Sequence, residues 1–191
     1  WAYTFQDRDY MGRCLMLYPM KWENEWPVVG QEGRPGKGVV TYRKPAVKGR
    51  HKMSYPHHSD SFDKLELAGI WEFNHVPHKE MWSLTDRQGF FRIYAQHARG
   101  FYWARNSLTQ KVTGPYSTGT VLLDLSGLQE GDFAGNGIMG RIMYQFGVRK
   151  KNNSFWLEMR QAYRDEGEEV VDSLELKALS KIYLRTETTK E

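Results

Sequence analysis

Apolar and polar positions alternate with a period of two in several short runs of this 191-residue chain, the mark of strands whose side chains point to opposite faces. The clearest are Gly137–Lys150 and Ser154–Tyr163. In the first, Ile138, Ile142, Tyr144, Phe146 and Val148 stand against Arg141, Gln145 and Arg149; in the second, Phe155, Leu157, Met159 and Tyr163 stand against Glu158 and Arg160. Thr120–Leu125 puts Val121, Leu123 and Leu125 on one side, and Ile182–Thr186 supplies a last strand. Near the beginning, Trp1–Gln6 and Arg13–Tyr18 predict a hairpin across the polar turn Asp7–Gly12, with Cys14, Met16 and Tyr18 on one face and Arg13, Leu15 and Leu17 on the other. Two strands alone are marginal in water, so this hairpin is expected to lean on polypeptide preceding Trp1. A Gly- and Pro-dense stretch, Glu23–Gly38, follows, and Val39–Tyr42 predicts one more short strand.

The middle of the chain has a different texture. Trp71–Gln110 holds Trp71, Trp82 and Trp103, a turn-rich loop over His75–Glu80, and two runs expected to be strands, Gly89–Ala95 and Phe101–Leu108, which together read as a sheet with one buried aromatic face. Turn signals at Gly127–Gly135, Lys151-Asn152-Asn153 and Asp165-Glu166-Gly167 separate the later runs. No segment of about ten or more residues keeps a 3.6 period. Short strands spaced roughly 8 to 12 residues apart predict an all-β, antiparallel β-sandwich. Residues 46–58, rich in Pro, Lys and His, read as a linker between an N-terminal piece (1–45) and the sandwich (59–191). The final strand stops without a closing element, which would leave an open edge, so the sandwich is expected to continue past Glu191.

Composition narrows the partners. Aromatic residues make up 14% of the chain, which directs attention to rings that face a ligand or another domain. The net charge of +4 comes from 27 basic and 23 acidic residues scattered without a basic block, which argues against nucleic acid. No run approaches the roughly 18 apolar residues of a membrane-spanning helix. A single cysteine, Cys14, excludes an internal disulfide framework.

Two blocks resemble one family. Gly12-Arg13, Trp22, Trp26-Pro27, Gly30 and Val39–Pro45 are similar to the last β-propeller blade of glycoside hydrolase family 43, the β-xylosidase and α-L-arabinofuranosidase type. Trp71–His75, Trp82–Arg87, Ala104–Gln110 and Gly131–Gly135 resemble the concanavalin A-like β-sandwich that follows the propeller in these enzymes. The resemblance implies a propeller carrying a general base, a general acid and a third carboxylate that tunes the acid, cleaving with inversion across a gap of about 6.5–9.5 Å. By that alignment all three precede Trp1, so the chain alone is expected to be inactive. It also implies a substrate of xylan or arabinan type.

Candidate residues follow from this. Arg13 matches a blade arginine that hydrogen-bonds the non-reducing sugar, a task suited to a planar guanidinium facing vicinal hydroxyls; the plain alternative is a surface arginine. Asp7 and Asp9 read as turn formers. Trp71, Trp82 and Trp103 could stack on sugars but are expected in the core. The calcium often held by such sandwiches would draw on Asp60, Asp63 or Asp132, against the ordinary reading of loop aspartates. His57, His58, His75 and His78 lack the partners of a zinc site. Arg105 and Asn106 are expected to form a buried structural pair. The competing functional class is a free-standing carbohydrate-binding module without catalysis.

Overall fold

Strands dominate the computed structural model, which describes residues 2–43, 46, 48–50, 52, 59–164 and 166–189. It falls into two units, Trp1–Tyr55 and Pro56–Glu191. Most of the expected linker, with His57, His58 and Lys44-Pro45, lies outside the described residues, as do Trp1 and Asp165. Among the described residues no helix is long and apolar enough to cross a membrane.

In the first unit, β1 (Ala2–Asp7) and β2 (Arg13–Tyr18) form the expected antiparallel hairpin, in register from Ala2↔Tyr18 to Asp7↔Arg13. One 3-10 turn, Asp9–Met11, joins them, and the Asp7 carboxylate accepts the Asp9 N–H at 3.2 Å. Gly12 closes the turn at φ +66°, a backbone shape that glycine adopts without strain. The faces fall as predicted: Cys14, Met16 and Tyr18 are half-buried while Leu15 and Leu17 are exposed. Next come β3 (Met20–Glu23), β4 (Trp26–Gln31) and the short β5 (Arg34–Pro35) in one antiparallel sheet. The β3–β4 turn places Asn24 and Glu25 at φ 49° and 67°, the left-handed pair of a tight hairpin. Val39–Tyr42, predicted as a strand, does not pair with any other strand, and Val40 stands fully in solvent. None of the described residues in this unit is buried.

The second unit begins with an aromatic knot in place of the expected sheet. Its ladders are two residues long: β6 (Glu72–Phe73) pairs with β9 (Leu108–Thr109), and β7 (Trp82–Ser83) with β8 (Arg92–Ile93). Gly89–Ala95 is thus strand only at β8, and Phe101–Leu108 is mostly not strand, because Phe101–Trp103 forms a 3-10 turn. Phe62, Trp71, Phe73, Trp82 and Phe91 pack ring on ring at centroid distances of 5.5–6.2 Å.

Regular sheet follows. β10 (Ser117–Asp124) pairs with β15 (Lys181–Thr188), while β11 (Phe133–Ile138), β12 (Ile142–Lys151), β13 (Ser154–Tyr163) and β14 (Gly167–Leu176) run as an antiparallel meander. Asn152 and Asn153, both at positive φ, make the tight β12–β13 turn. The run Gly137–Lys150 is broken at Met139-Gly140-Arg141, so its two halves belong to different strands. The Asn136 side-chain amide donates to the Thr186 hydroxyl at 3.1 Å, joining β11 to β15, and Leu125, Met143, Val148 and Leu184 are the largest fully buried side chains.

Which meander face is covered departs in part from the apolar pattern, although Val148, on its apolar side, is fully buried. Met143, Gln145, Glu158 and Ala162 are buried, while Ile142, Tyr144, Met159 and Tyr163 are 37–41% exposed. Charged side chains on the covered face pair with one another, and glycines let aromatic rings lie close over it. A Cβ on Gly147 would meet the Ala134 carbonyl oxygen at 2.5 Å and the Phe133 ring at 2.8 Å.

The knot is tied to the sheet by Arg87, whose guanidinium donates to Asp124 at 2.7 Å and lies 4.0 Å from the Phe90 ring centroid. The Ser126 hydroxyl and N–H, and then Arg87, hold the Asp124 carboxyl down at about 2, against an ordinary 3.8. A carboxyl that ionises more easily when folded contributes stability above its unfolded value and loses it as pH falls toward the folded one. Stability is therefore expected to fall between about pH 4 and pH 2, and Asp124→Asn to flatten that part of the curve in urea titrations across the range.

Candidate functional site

Arg13 opens β2 directly after Gly12, opposite Asp7 across the ladder. Its guanidinium carbon lies 5.0 Å from the Phe5 ring centroid, on the exposed face shared with Tyr3, Leu15 and Leu17. Resting on an aromatic face costs a guanidinium none of its in-plane donors, so Arg13 can still offer a fork to paired hydroxyls.

In the second unit the polar side chains of the 74–106 region build loops. Asn106, 5% exposed, accepts the His78 N–H at 3.1 Å and donates to the carbonyls of His78 (3.3 Å) and Met81 (3.0 Å), replacing a strand partner for a segment that has none. Asn74 donates to the Tyr102 carbonyl at 2.5 Å, and His75 Nε2 meets the same oxygen at 2.7 Å, a contact that requires the proton on Nε2. Arg105 is exposed and reaches the Val76 carbonyl at 3.3 Å, so the expected buried pair reduces to Asn106 alone.

The three tryptophans divide. Trp71 and Trp82 belong to the knot; Trp71 donates its indole N–H to Asp60 at 2.8 Å, and Trp82 Nε1 is buried without a partner among the described residues. Trp103 leaves the core: it is 37% exposed, parallel to the His75 ring at 5.9 Å and edge-on to Tyr102, over which Arg164 lies at 4.6 Å.

The covered face of the meander holds an ionic chain. One oxygen of Glu158, Oε2, accepts from Arg149 (3.3 Å) and from Arg160 (2.6 and 2.8 Å). Arg160 also donates to Glu168 at 3.0 Å, and the other oxygen of Glu168 accepts from Gln145 (3.1 Å) and from the Phe101 N–H (2.5 Å). Both guanidinium groups lie over Phe133, Arg160 at 4.4 Å and Arg149 at 5.7 Å. Glu168 sits in an acidic stretch, Glu166–Glu169, that gives no periodic signal in the sequence. Glu158 and Arg160 are legible as a polar side of β13, although not as its inner side.

Glu158 and Glu168 are thus engaged by guanidinium groups. The proposed calcium ligands are likewise in use: Asp60 accepts the Phe62 N–H (2.9 Å) and the Trp71 indole, Asp132 the Gln129 N–H (2.9 Å), and Asp63 the Ser61 hydroxyl (2.9 Å). Calcium wants six to eight oxygens. Among the described residues no three His, Cys, Asp or Glu side chains converge on a metal-sized site.

Residues 59–191 match the family model of the β-xylosidase C-terminal concanavalin A-like domain of glycoside hydrolase family 43. The chain belongs to this family. Relatives agree: a Xylanibacter ruminicola protein that carries a β-xylosidase name is 35% identical over 153 residues, covering 78% of this chain and 28% of its own length. A β-xylosidase of Formosa agariphila is 31% identical over 193 aligned positions, covering 83% and 32%. Among solved structures, a bifunctional family 43 and carbohydrate-esterase protein of Bacteroides eggerthii superposes with a TM-score of 0.73 at 30% identity, over 96% of this chain and 23% of that one. The chain thus spans about a third of the length of the curated relatives it matches. As a family 43 accessory domain it has an all-β, antiparallel concanavalin A-like sandwich, with its irregular aromatic knot inside the matched region.

Removing one member of a buried ion pair leaves the other charge uncompensated, at a cost of roughly 3–5 kcal/mol. Glu158→Ala is expected to lose stability in that range by urea unfolding, and the joint replacement Glu158→Leu with Arg160→Met to lose less than the single one.

Proposed function

We propose that this chain is the junction of a family 43 glycoside hydrolase, the last propeller blade followed by its accessory sandwich, in a protein that hydrolyses xylosidic or arabinofuranosidic bonds with inversion. The observation that carries the reading is the match of residues 59–191 to the β-xylosidase C-terminal domain, directly after a unit that lacks a core of its own among the described residues. Tyr3, Phe5, Leu15 and Leu17, exposed by 50–76%, give β1 and β2 an apolar face that a neighbouring blade of the same protein would cover. The names of the relatives point to xylose- and arabinose-containing oligosaccharides or polysaccharides as the substrate class.

In this reading the reacting carboxylates belong to earlier blades, and this chain supplies the edge of the pocket and its brace. Arg13 donates to a pair of hydroxyls on the non-reducing sugar, with Phe5 beneath it restricting its motion. The sandwich contributes shape and stiffness.

Two measurements test this. The purified 191 residues are expected to show no turnover of aryl-xyloside or aryl-arabinofuranoside while the longer parent protein turns over one of them; activity in the short chain overturns the assignment of the carboxylates. In the parent, Arg13→Ala is expected to lower kcat/KM by roughly ten- to a hundredfold, the cost of one charge-assisted hydrogen bond, with the melting curve intact. Unchanged kinetics removes Arg13 from the pocket.

A further inference from the structure

A depression of about 410 Å³ lies between the 78–81 turn and the β7–β8 ladder, lined by Glu80, Met81, Trp82, Ser83, Asp86 and Tyr94. Its size falls at the lower end of the roughly 300–1,000 Å³ usual for small-ligand clefts. The frame is fixed from several sides. Asn106 holds the carbonyls of His78 and Met81 from behind, the Tyr94 N–H donates to the Met81 carbonyl at 3.0 Å, and Trp82 pairs with Ile93 across the ladder. The Ser83 hydroxyl accepts the N–H groups of Thr85 (3.1 Å) and Asp86 (3.0 Å), which sets the direction of the acidic side chain. The Tyr94 hydroxyl then donates to Asp86.

That last bond keeps both groups in useful states. It holds the Asp86 carboxyl below its ordinary value, with Ser83 assisting, and raises the Tyr94 phenol above its own. At neutral pH the pair is a carboxylate beside a neutral phenol.

The lining combines two kinds of surface. Tyr94, 40% exposed, and Met81 offer apolar area, with Trp82 braced behind them on Phe91 at 5.5 Å. Glu80, Asp86 and Ser83 offer oxygen acceptors and a hydroxyl. The lining includes no Lys or Arg, so phosphates, sulfates and uronates meet the carboxylates of Glu80 and Asp86 with no cation among the lining residues. A neutral sugar ring matches both kinds of surface, since its C–H face packs on aromatic rings and its hydroxyls donate to carboxylates.

We propose that this depression binds a ring of a neutral polysaccharide chain. The choice of xylan as the polymer rests on the hydrolase reading given above, whereas the site itself rests on its lining.

The test is binding by the 191-residue chain, which needs no catalytic centre. The chain is expected to sediment with insoluble neutral arabinoxylan at high salt in a saturable manner, and to ignore polygalacturonate. Tyr94→Ala and Asp86→Asn are each expected to raise the Kd about tenfold, equivalent to 1.4 kcal/mol, with melting curves close to wild type. Glu80→Gln, on the exposed rim, gives the same reading by a weaker Kd if either of those variants fails to fold. Absence of binding to arabinoxylan, equal binding to polygalacturonate, or wild-type affinity in folded variants overturns the site. None of these outcomes alters the parent's turnover of aryl glycosides, so a failed site and a failed hydrolase reading are told apart.

Discussion

Arg160 stands at the point where the sandwich domain meets its hardest physical problem, a charged strand face taken out of water. A charge moved from water into protein interior loses several kcal/mol of solvation, and a partner recovers that loss only when geometry and hydrogen bonding are both good. Here the guanidinium bridges Glu158 and Glu168 on neighbouring strands, Glu158 extends the chain to Arg149, and Glu168 extends it to Gln145 and to the backbone of Phe101. The covering follows from the pairing. Phe101 is anchored by its N–H to Glu168, its ring lies over Gly137, and Phe133 spreads beneath both guanidinium groups. Without the two carboxylates the same face would have to stay wet, and the 3-10 turn that begins at Phe101 would lose its anchor.

That anchor is how the meander organises the loops ahead of it. From Phe101 the chain turns through Tyr102 and Trp103, and the Tyr102 carbonyl receives Asn74 and His75, so the start of the knot is pinned to the sheet through one peptide. Arg87 makes a second tie at Asp124, at the end of β10. Between these ties the Asn106 amide replaces a strand partner with hydrogen bonds of its own, and an irregular segment holds its shape with few ladder bonds. A region of two-residue strands becomes a usable surface by this means, because its turns are fixed by buried polar side chains and not by sheet.

The sequence made the regular parts legible and the irregular ones only as composition. Ser154–Tyr163 and Arg13–Tyr18 emerge with their predicted bounds because strict alternation and Asn-Asn or Gly-containing turns mark them. The β3–β4 hairpin escaped notice because its turn is Asn24-Glu25, a pair without the glycine that usually announces two left-handed residues. Phe101–Leu108 has the aromatic content of a strand but not its partner, since a carboxylate far along the chain captures its first N–H. Arg13 was legible only through the family resemblance. The depression at Tyr94 was not legible at all, because the contact between Asp86 and Tyr94 arises from a two-residue ladder that no period reveals.

The inner charges also answer a question that the apolar pattern leaves open. β12 and β13 carry large apolar side chains on both faces, Met143 and Trp156 on one and Phe146, Leu157 and Met159 on the other, so alternation alone does not say which face turns inward. A one-residue slip of β13 against β12 would exchange the faces at small apolar cost. It would also carry Glu158 and Arg160 together away from Arg149, which would lose its carboxylate partner while Glu158 and Arg160 kept each other. On this argument the ionic face contributes little net stability, and it disfavours the wrong register through Arg149. The bulge between Met159 and Arg160, where β14 gains a residue, lets Val170 and Glu168 share the inner side with Arg160 and Ala162. Register, inward face and the position of Phe101 are therefore set together by one set of charges.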